Sequence, residues 1–277
     1  MLFDAHTHIN EDYTDEERAA LAQAIEASEV GAVVDAGSDL RTSLLAVMDA
    51  ETWSWCYAAV GYHPHETRHL TEEILGQIRE LTADPKVVAI GEIGLDFHYD
   101  LSERDTQRAW FGRQIDLANE LRMPIVIHSR EAGQETMDIL KEHGAFSKER
   151  QSWFPRRPGP DGTELPDSRV LIHCFSGSAE TAAQYVRLGA TISVCGPVTF
   201  KKSRKIREVV QRIPLEFLTV ETDAPYLTPE PFRGRPNMSP YVKYTAAKVA
   251  ELKGLSEEEV ARVTWANGCR FYGIPAC

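Results

Sequence analysis

Leu2-Phe3-Asp4-Ala5-His6-Thr7-His8 opens the chain with an apolar, β-type run and closes on two histidines one residue apart. In an extended strand, residues i and i+2 point to the same face, so both imidazoles leave the strand end together. The pattern returns in Gly61-Tyr62-His63-Pro64, Gly91-Glu92-Ile93-Gly94, Ile127-His128-Ser129-Arg130, Ile172-His173-Cys174 and Glu221-Thr222-Asp223. Each stretch follows an apolar run of four or five residues and sets a histidine or carboxylate where that run should stop. Neutral imidazoles and carboxylates are the donors a divalent cation takes, and donors from different strands can converge on one point.

Working outward from these stretches, strand-like runs fall at 2–5, 32–36, 56–60, 87–91, 125–128, 170–172, 190–194 and 217–220. Between them lie segments of helical periodicity at 14–28, 70–81, 102–121, 132–142, 179–188 and 203–212. Eight strands alternating with helices predict parallel βα units, and eight is the number that closes a TIM-like (β/α)8 barrel. An open doubly wound sheet is the alternative, but its ligands gather at one crevice and not at strand ends around a ring. The expectation is therefore an α/β fold with its site at the C-terminal ends of the strands. The 277 residues suit a single barrel domain of about 250 residues. Two further helical patterns, at 240–252 and 256–271, should pack outside the barrel, the second opened by Ser256-Glu257-Glu258-Glu259 as an N-cap with an acidic first turn.

The stretch 145–168 breaks the rhythm with Pro155, Pro158, Gly159, Pro160, Gly162 and Pro166 around Arg156-Arg157. It reads as a loop insertion that emerges near the active face or returns across it, a surface excursion more than a substrate-gating lid.

Composition narrows the class. With 43% hydrophobic and 26% charged residues the chain is that of a globular enzyme. No apolar run reaches the roughly 18–20 residues that span a bilayer, so no membrane partner is expected. The first strand begins at once, with no signal-peptide pattern before it, and a cytoplasmic location is expected. Five cysteines without a CxxC pair read as reduced thiols, and strand alternation turns Cys174 away from the face that His173 serves. A net charge of −12 disfavours a long phosphate-tracking surface. Local basic stretches, Lys201-Lys202-Ser203-Arg204-Lys205-Ile206-Arg207 and Arg233-Gly234-Arg235, would suit a small phosphate-binding rim or a solvated helix start.

Each residue type then suggests a role. His6 and His8 form a chelating pair. Glu92, after Val87-Val88-Ala89-Ile90-Gly91, is costly to bury unless a cation meets it, and its two oxygens could bridge two metals roughly 3.5–4 Å apart. His128 and His173, on adjacent strands beside Glu92, make a second metal position. Asp223 ends the eighth strand, next to the first in a closed barrel, where it can complete the His6–His8 metal and accept a proton from water. Glu221 shares its phase and should support from behind. His63, held at the mouth by Pro64, could donate to a phosphate oxygen. Arg130 is the natural bidentate phosphate partner, with a Glu131 salt bridge as rival. His65 and His69 read as surface residues.

These motifs, with Leu95-Asp96, Phe175-Ser176-Gly177, Gly196-Pro197-Val198-Thr199-Phe200-Lys201, Ala224-Pro225-Tyr226-Leu227 and Arg235-Pro236-Asn237, resemble in order the TatD-type metal-dependent deoxyribonuclease family of the amidohydrolase-like superfamily. The resemblance implies a TIM-like barrel with two divalent ions (magnesium, manganese or zinc). His6, His8 and Asp223 would hold one, His128 and His173 the other, with Glu92 bridging. It implies metal-activated water hydrolysing DNA phosphodiesters as a 3′-to-5′ exonuclease, with Asp223 and Glu92 catalytic and single-stranded or 3′-ended DNA as partner. No stable protein partner is predicted. The family pattern departs at 145–168, which lengthens the His128-to-His173 spacing and puts substrate preference in question.

Two other functions compete. A barrel amidohydrolase or esterase acting on a small amide, lactone or phosphoester often bridges its metals with a carboxylated lysine, but Lys86 sits at the wrong end of the fourth strand. A barrel that has lost its chemistry and only binds is disfavoured because no ligand position is missing.

Overall fold

Small and β-branched side chains fill the runs between the polar strand ends, and such runs form strands when both faces are covered. A computed structural model describes residues 1–11 and 13–275. Its strands are β1 (Leu2–Thr7), β2 (Val30–Ala36), β3 (Cys56–Val60), β4 (Val87–Asp96), β5 (Ile125–Arg130), a hairpin of β6 (Arg157–Pro158) and β7 (Glu164–Leu165), then β8 (Val170–Ile172), β9 (Thr191–Val194) and β10 (Leu218–Val220). All but the hairpin lie parallel in the order β1–β2–β3–β4–β5–β8–β9–β10. The helices α1 (Asp15–Glu26), α2 (Leu40–Thr52), α3 (Glu72–Leu81), α4 (Arg104–Leu121), α5 (Gly133–Glu142), α7 (Ala179–Arg187) and α8 (Arg204–Arg212) alternate with the strands, giving the expected TIM-like barrel. Among these, α2 lies outside the periodic segments of the sequence. Its buried residues are Thr42, Ser43, Ala46, Asp49 and Ala50, too small or polar to draw an apolar stripe.

The barrel closes between β10 and β1. There the Asp4 carboxylate accepts from the Thr222 amide at 2.8 Å and its hydroxyl at 2.6 Å. Just beyond, the Asp223 amide donates to His6 O (3.0 Å) and the His8 amide to Ala224 O (2.8 Å). Helices α9 (Val242–Lys253) and α10 (Glu257–Tyr272) follow, with Ser256 capping α10 through the Glu259 amide. Helix α10 covers the seam: Tyr272 OH donates to Ala5 O at 2.7 Å, and Asn267 Nδ2 donates to Leu215 O and Leu218 O.

The stretch 145–168 departs from a bare loop and from the expected position. It carries α6 (Lys148–Ser152) and the β6–β7 hairpin. It follows a helix and precedes a strand, so it lies at the N-terminal end of the barrel, opposite the strand ends that bear the histidines. Two buried arginines fasten it. Arg150 donates to Asn119 Oδ1, Met123 O and Ser168 O, all at 2.7–2.8 Å. Arg157 donates to Ala190 O (2.7 Å) and Val186 O (3.0 Å) and lies over the Phe217 ring. Among the described residues, no helix is long and apolar enough to cross a membrane.

Candidate metal centre

At the end of β1, His6 and His8 project together, as alternation requires, and their Nε2 atoms stand 3.2 Å apart. The His8 Nδ1–H donates to Ala36 O at 2.8 Å, which leaves its Nε2 lone pair facing His6. Asp223 brings Oδ1 to 3.5 Å from His8 Nε2 and 3.8 Å from His6 Nε2. Its backbone takes a left-handed φ of 57°, a conformation that a short carboxylate side chain tolerates better than most.

Glu92 lies between two groups of imidazoles. Its Oε2 is 3.2 Å from His6 Nε2 and 3.7 Å from His8 Nε2. Its Oε1 is 2.6 Å from His128 Nδ1, 3.0 Å from His173 Nε2 and 3.6 Å from His63 Nε2. The groups abut, with the His6 and His173 rings stacked at 4.0 Å. All six residues named from the sequence for metal binding therefore meet. His63 comes closer than a residue at the mouth would, packing edge-on against His128.

A ring of acids fixes the imidazoles. Glu221 Oε1 accepts from His173 Nδ1 (3.1 Å) and from the Cys174 amide (2.6 Å). Asp96 Oδ2 lies 3.1 Å from His128 Nε2 and 2.9 Å from His65 Nε2, while its Oδ1 accepts the His98 and Tyr99 amides. Asp96 and His65 are the site residues that motif-by-motif logic misses. Strand β4 runs on to Asp96, five residues past the point where its apolar run stops, so Asp96 still faces the site; His65 is half-turned inward by that carboxylate and is not a plain surface residue. His69 is exposed, as expected.

The electrostatics call for a cation. Burial lowers the His6 pKa, and burial with the neighbouring His128 lowers that of His63. Against the same burial, Asp223 and Glu92 raise His8 to about 9, and Glu92 and Glu221 raise His173. Burial would raise Glu92, yet His173, His63 and His6 hold it well below the carboxylate range. The acids thus favour protons on His8 and His173, the positions where a cation would take the proton's place. His6 Nδ1 is buried without a partner, and two Nε2 atoms face each other at 3.2 Å, where only a proton or cation relieves the lone pairs. Groups such as His6–His8–Glu92 and His63–Glu92–His128 place their donor atoms within 4.8 Å of one another. The donor set fits a divalent ion.

The centre opens into a cavity of about 500 Å³. Tyr99 and Tyr226 stand half exposed on its rim, and Arg130 lies over the Tyr99 ring at 4.7 Å, free of Glu131, which pairs with His98. The basic segment divides: Arg207 is spent on Val198 O, Thr199 O and Phe200 O, whereas Lys201, Lys202, Arg204 and Lys205 are exposed. Lys86 Nζ donates to Ser54 O and Cys56 O at the far end of the barrel and bridges nothing here.

Known proteins resemble this chain in sequence and fold. The family model described as TatD related DNase matches residues 3–273. The metal-dependent hydrolase YabD of Bacillus subtilis (strain 168) is 41% identical over 274 residues, spanning 99% of this chain and all of that protein. The 3′-5′ ssDNA/RNA exonuclease TatD of Rahnella sp. (strain Y9602) is 28% identical, with 99% of both chains covered. The crystal structure of YJJV, a TatD homologue from Escherichia coli K12, superposes with a TM-score of 0.85 at 27% identity, covering 99% of this chain and 98% of the other.

Proposed function

The chain belongs to the TatD-related DNase family and is a metal-dependent hydrolase, and from that premise we propose that it removes nucleotides from the 3′ end of single-stranded DNA using two divalent ions. One observation carries the proposal: the two oxygens of Glu92 address separate imidazole groups, His6 with His8 and His128 with His173. In this reading His6, His8 and Asp223 would hold one ion and His128 and His173 the other, with Glu92 available to both. The mixed imidazole and carboxylate donors suit manganese, zinc or magnesium. The chemistry such ions would supply when bound is a more acidic water and neutralised charge on phosphate oxygens.

The chain's own residues do the rest. Asp223, whose pKa stays low despite burial because His8 and His173 lie beside it, is ionised at neutral pH and takes the attacking water's proton. Asp96 and Glu221 hold the His128 and His173 rings in their bonding tautomers. His63 and Arg130 meet the phosphate, and Tyr99 and Tyr226 offer faces on which unpaired bases stack. A net charge of −12 suits brief contact with a strand end better than tracking along a duplex. The Rahnella relative's named activity on single strands agrees with this choice.

The test is a labelled single-stranded oligonucleotide with added Mg²⁺, Mn²⁺ or Zn²⁺, beside a panel of simple esters and lactones. Stepwise shortening from the 3′ end is expected, stopped by chelator. Asp223→Asn should lower kcat by about 10²–10⁴-fold, the range of general-base catalysis, and Glu92→Gln should do at least as much. Turnover of an ester or lactone with intact DNA would overturn the nuclease reading.

A further inference from the structure

Two thiols meet just outside the catalytic cleft. Cys174 follows His173 at the end of β8, and Cys195 follows β9 and is 3% exposed. Their Sγ atoms are 3.2 Å apart. Cys174 is partly exposed and opens, with Cys195, into a separate cavity of about 350 Å³ whose walls include Phe175, Pro197, Lys202 and Lys205. A small oxidant can therefore reach Cys174 without passing the metal centre.

Glu221 lies near both sulfurs, so a third cation on Cys174, Cys195 and Glu221 is the rival use of this cluster. Glu221 Oε1 accepts from the Cys174 amide and from His173 Nδ1, while its Oε2 is buried without a partner, so the carboxylate does not decide between the two uses and the spacing of the sulfurs does. Two thiolates on one tetrahedral zinc, each about 2.3 Å from it, stand roughly 3.8 Å apart. An ion would have to wedge these sulfurs open, whereas bond formation continues an approach already made: a disulfide of about 2.05 Å is reached by closing roughly 1.2 Å.

We propose that Cys174 and Cys195 form a peroxide-responsive dithiol whose closure disturbs the catalytic centre through Glu221 and His173. The Cys174 sulfur attacks one oxygen of hydrogen peroxide, the O–O bond breaks, and sulfenic acid and water result. The Cys195 sulfur then attacks the Cys174 sulfur, and the departing hydroxide leaves as water with the Cys195 proton. Two thiols are oxidised by two electrons in all, and one peroxide is reduced to two waters. Because the Cys174 amide and His173 Nδ1 share Glu221 Oε1, drawing Cys174 towards β9 displaces the carboxylate that orients His173. A displacement of about 1 Å at such a group costs on the order of 10²-fold in rate. This second half rests on the metal-centre reading; the disulfide itself does not.

The experiment exposes the purified, metal-loaded protein to hydrogen peroxide, alkylates free thiols, and maps peptides by mass spectrometry with and without dithiothreitol. A Cys174–Cys195 cross-link that dithiothreitol reverses is expected, with a dimedone-reactive Cys174 accumulating instead in Cys195→Ser. Bound metal, counted after dialysis, and hydrolytic rate should fall at least 10-fold in the oxidised wild type and recover on reduction. Both cysteines remaining alkylatable, or a soft divalent ion co-purifying with the pair and blocking alkylation, would overturn the dithiol. A mapped disulfide with unchanged metal content and rate would overturn its coupling to the centre. Mapping needs no substrate, so its outcome stands apart from that of the nuclease assay.

Discussion

Glu221 is fully buried, and its one carboxylate orients the His173 ring and holds the following amide. Glu221→Gln keeps the shape and removes the charge, and should weaken metal binding by about 10–100-fold, as loss of such supporting acids does; competition against a chromogenic chelator measures it, and an unchanged affinity would sink the role. A pair of acids, Asp35 and Asp49, acts on stability. Asp35 holds the β1 exit loop through the Ile9 amide (2.7 Å) and Asn10 Nδ2 (2.7 Å), and it is buried against Asp49. Burial pushes both carboxyls above the ordinary 3.8, and the Asp49 charge raises Asp35 further. A raised acid stabilises the fold fully below its unfolded pKa and loses that contribution as pH climbs through the folded value. This pair's contribution to melting temperature should therefore shrink as pH rises above about 4, so the Tm difference between Asp49→Asn and the wild type should change with pH in favour of the variant; parallel profiles would reject the pairing.

At the scale of elements, the six donors were legible because each ends an apolar run, and two-residue alternation says which face it serves. What stayed hidden was set by contacts between elements. Asp96 depends on β4 outlasting its apolar stretch, and His65 depends on Asp96. Helix α2 packs through small and polar residues that leave no stripe. The 145–168 stretch is held by arginine bonds to backbone carbonyls, which carry no sequence pattern at all. Those bonds make a prediction. Arg157→Ala leaves Ala190 O and Val186 O without their charged donor, and each such bond contributes about 1.5–3 kcal/mol. A stability loss of roughly 3–6 kcal/mol in denaturant unfolding, with kcat unchanged, is expected; lost turnover without lost stability would return this stretch to the active face.

For the whole molecule, donors from β1, β4, β5, β8 and β10 meet at one centre, so an ion there ties most of the barrel to itself. An ion at about 100 times its Kd adds about 2.7 kcal/mol to stability. In a domain of this size that is worth roughly 5–10 °C of melting temperature. Chelation should lower Tm by that amount in the wild type and hardly at all in Glu92→Gln, and equal shifts in both would place the ion elsewhere. The seam between β10 and β1 carries a consequence for biosynthesis. His6 and His8 leave the ribosome first, whereas Asp223 follows roughly 10–40 s later at ordinary translation speeds. A nascent chain therefore holds an incomplete donor set, and hydrolysis waits until the polypeptide is long enough to bring the ends of β1 and β10 together.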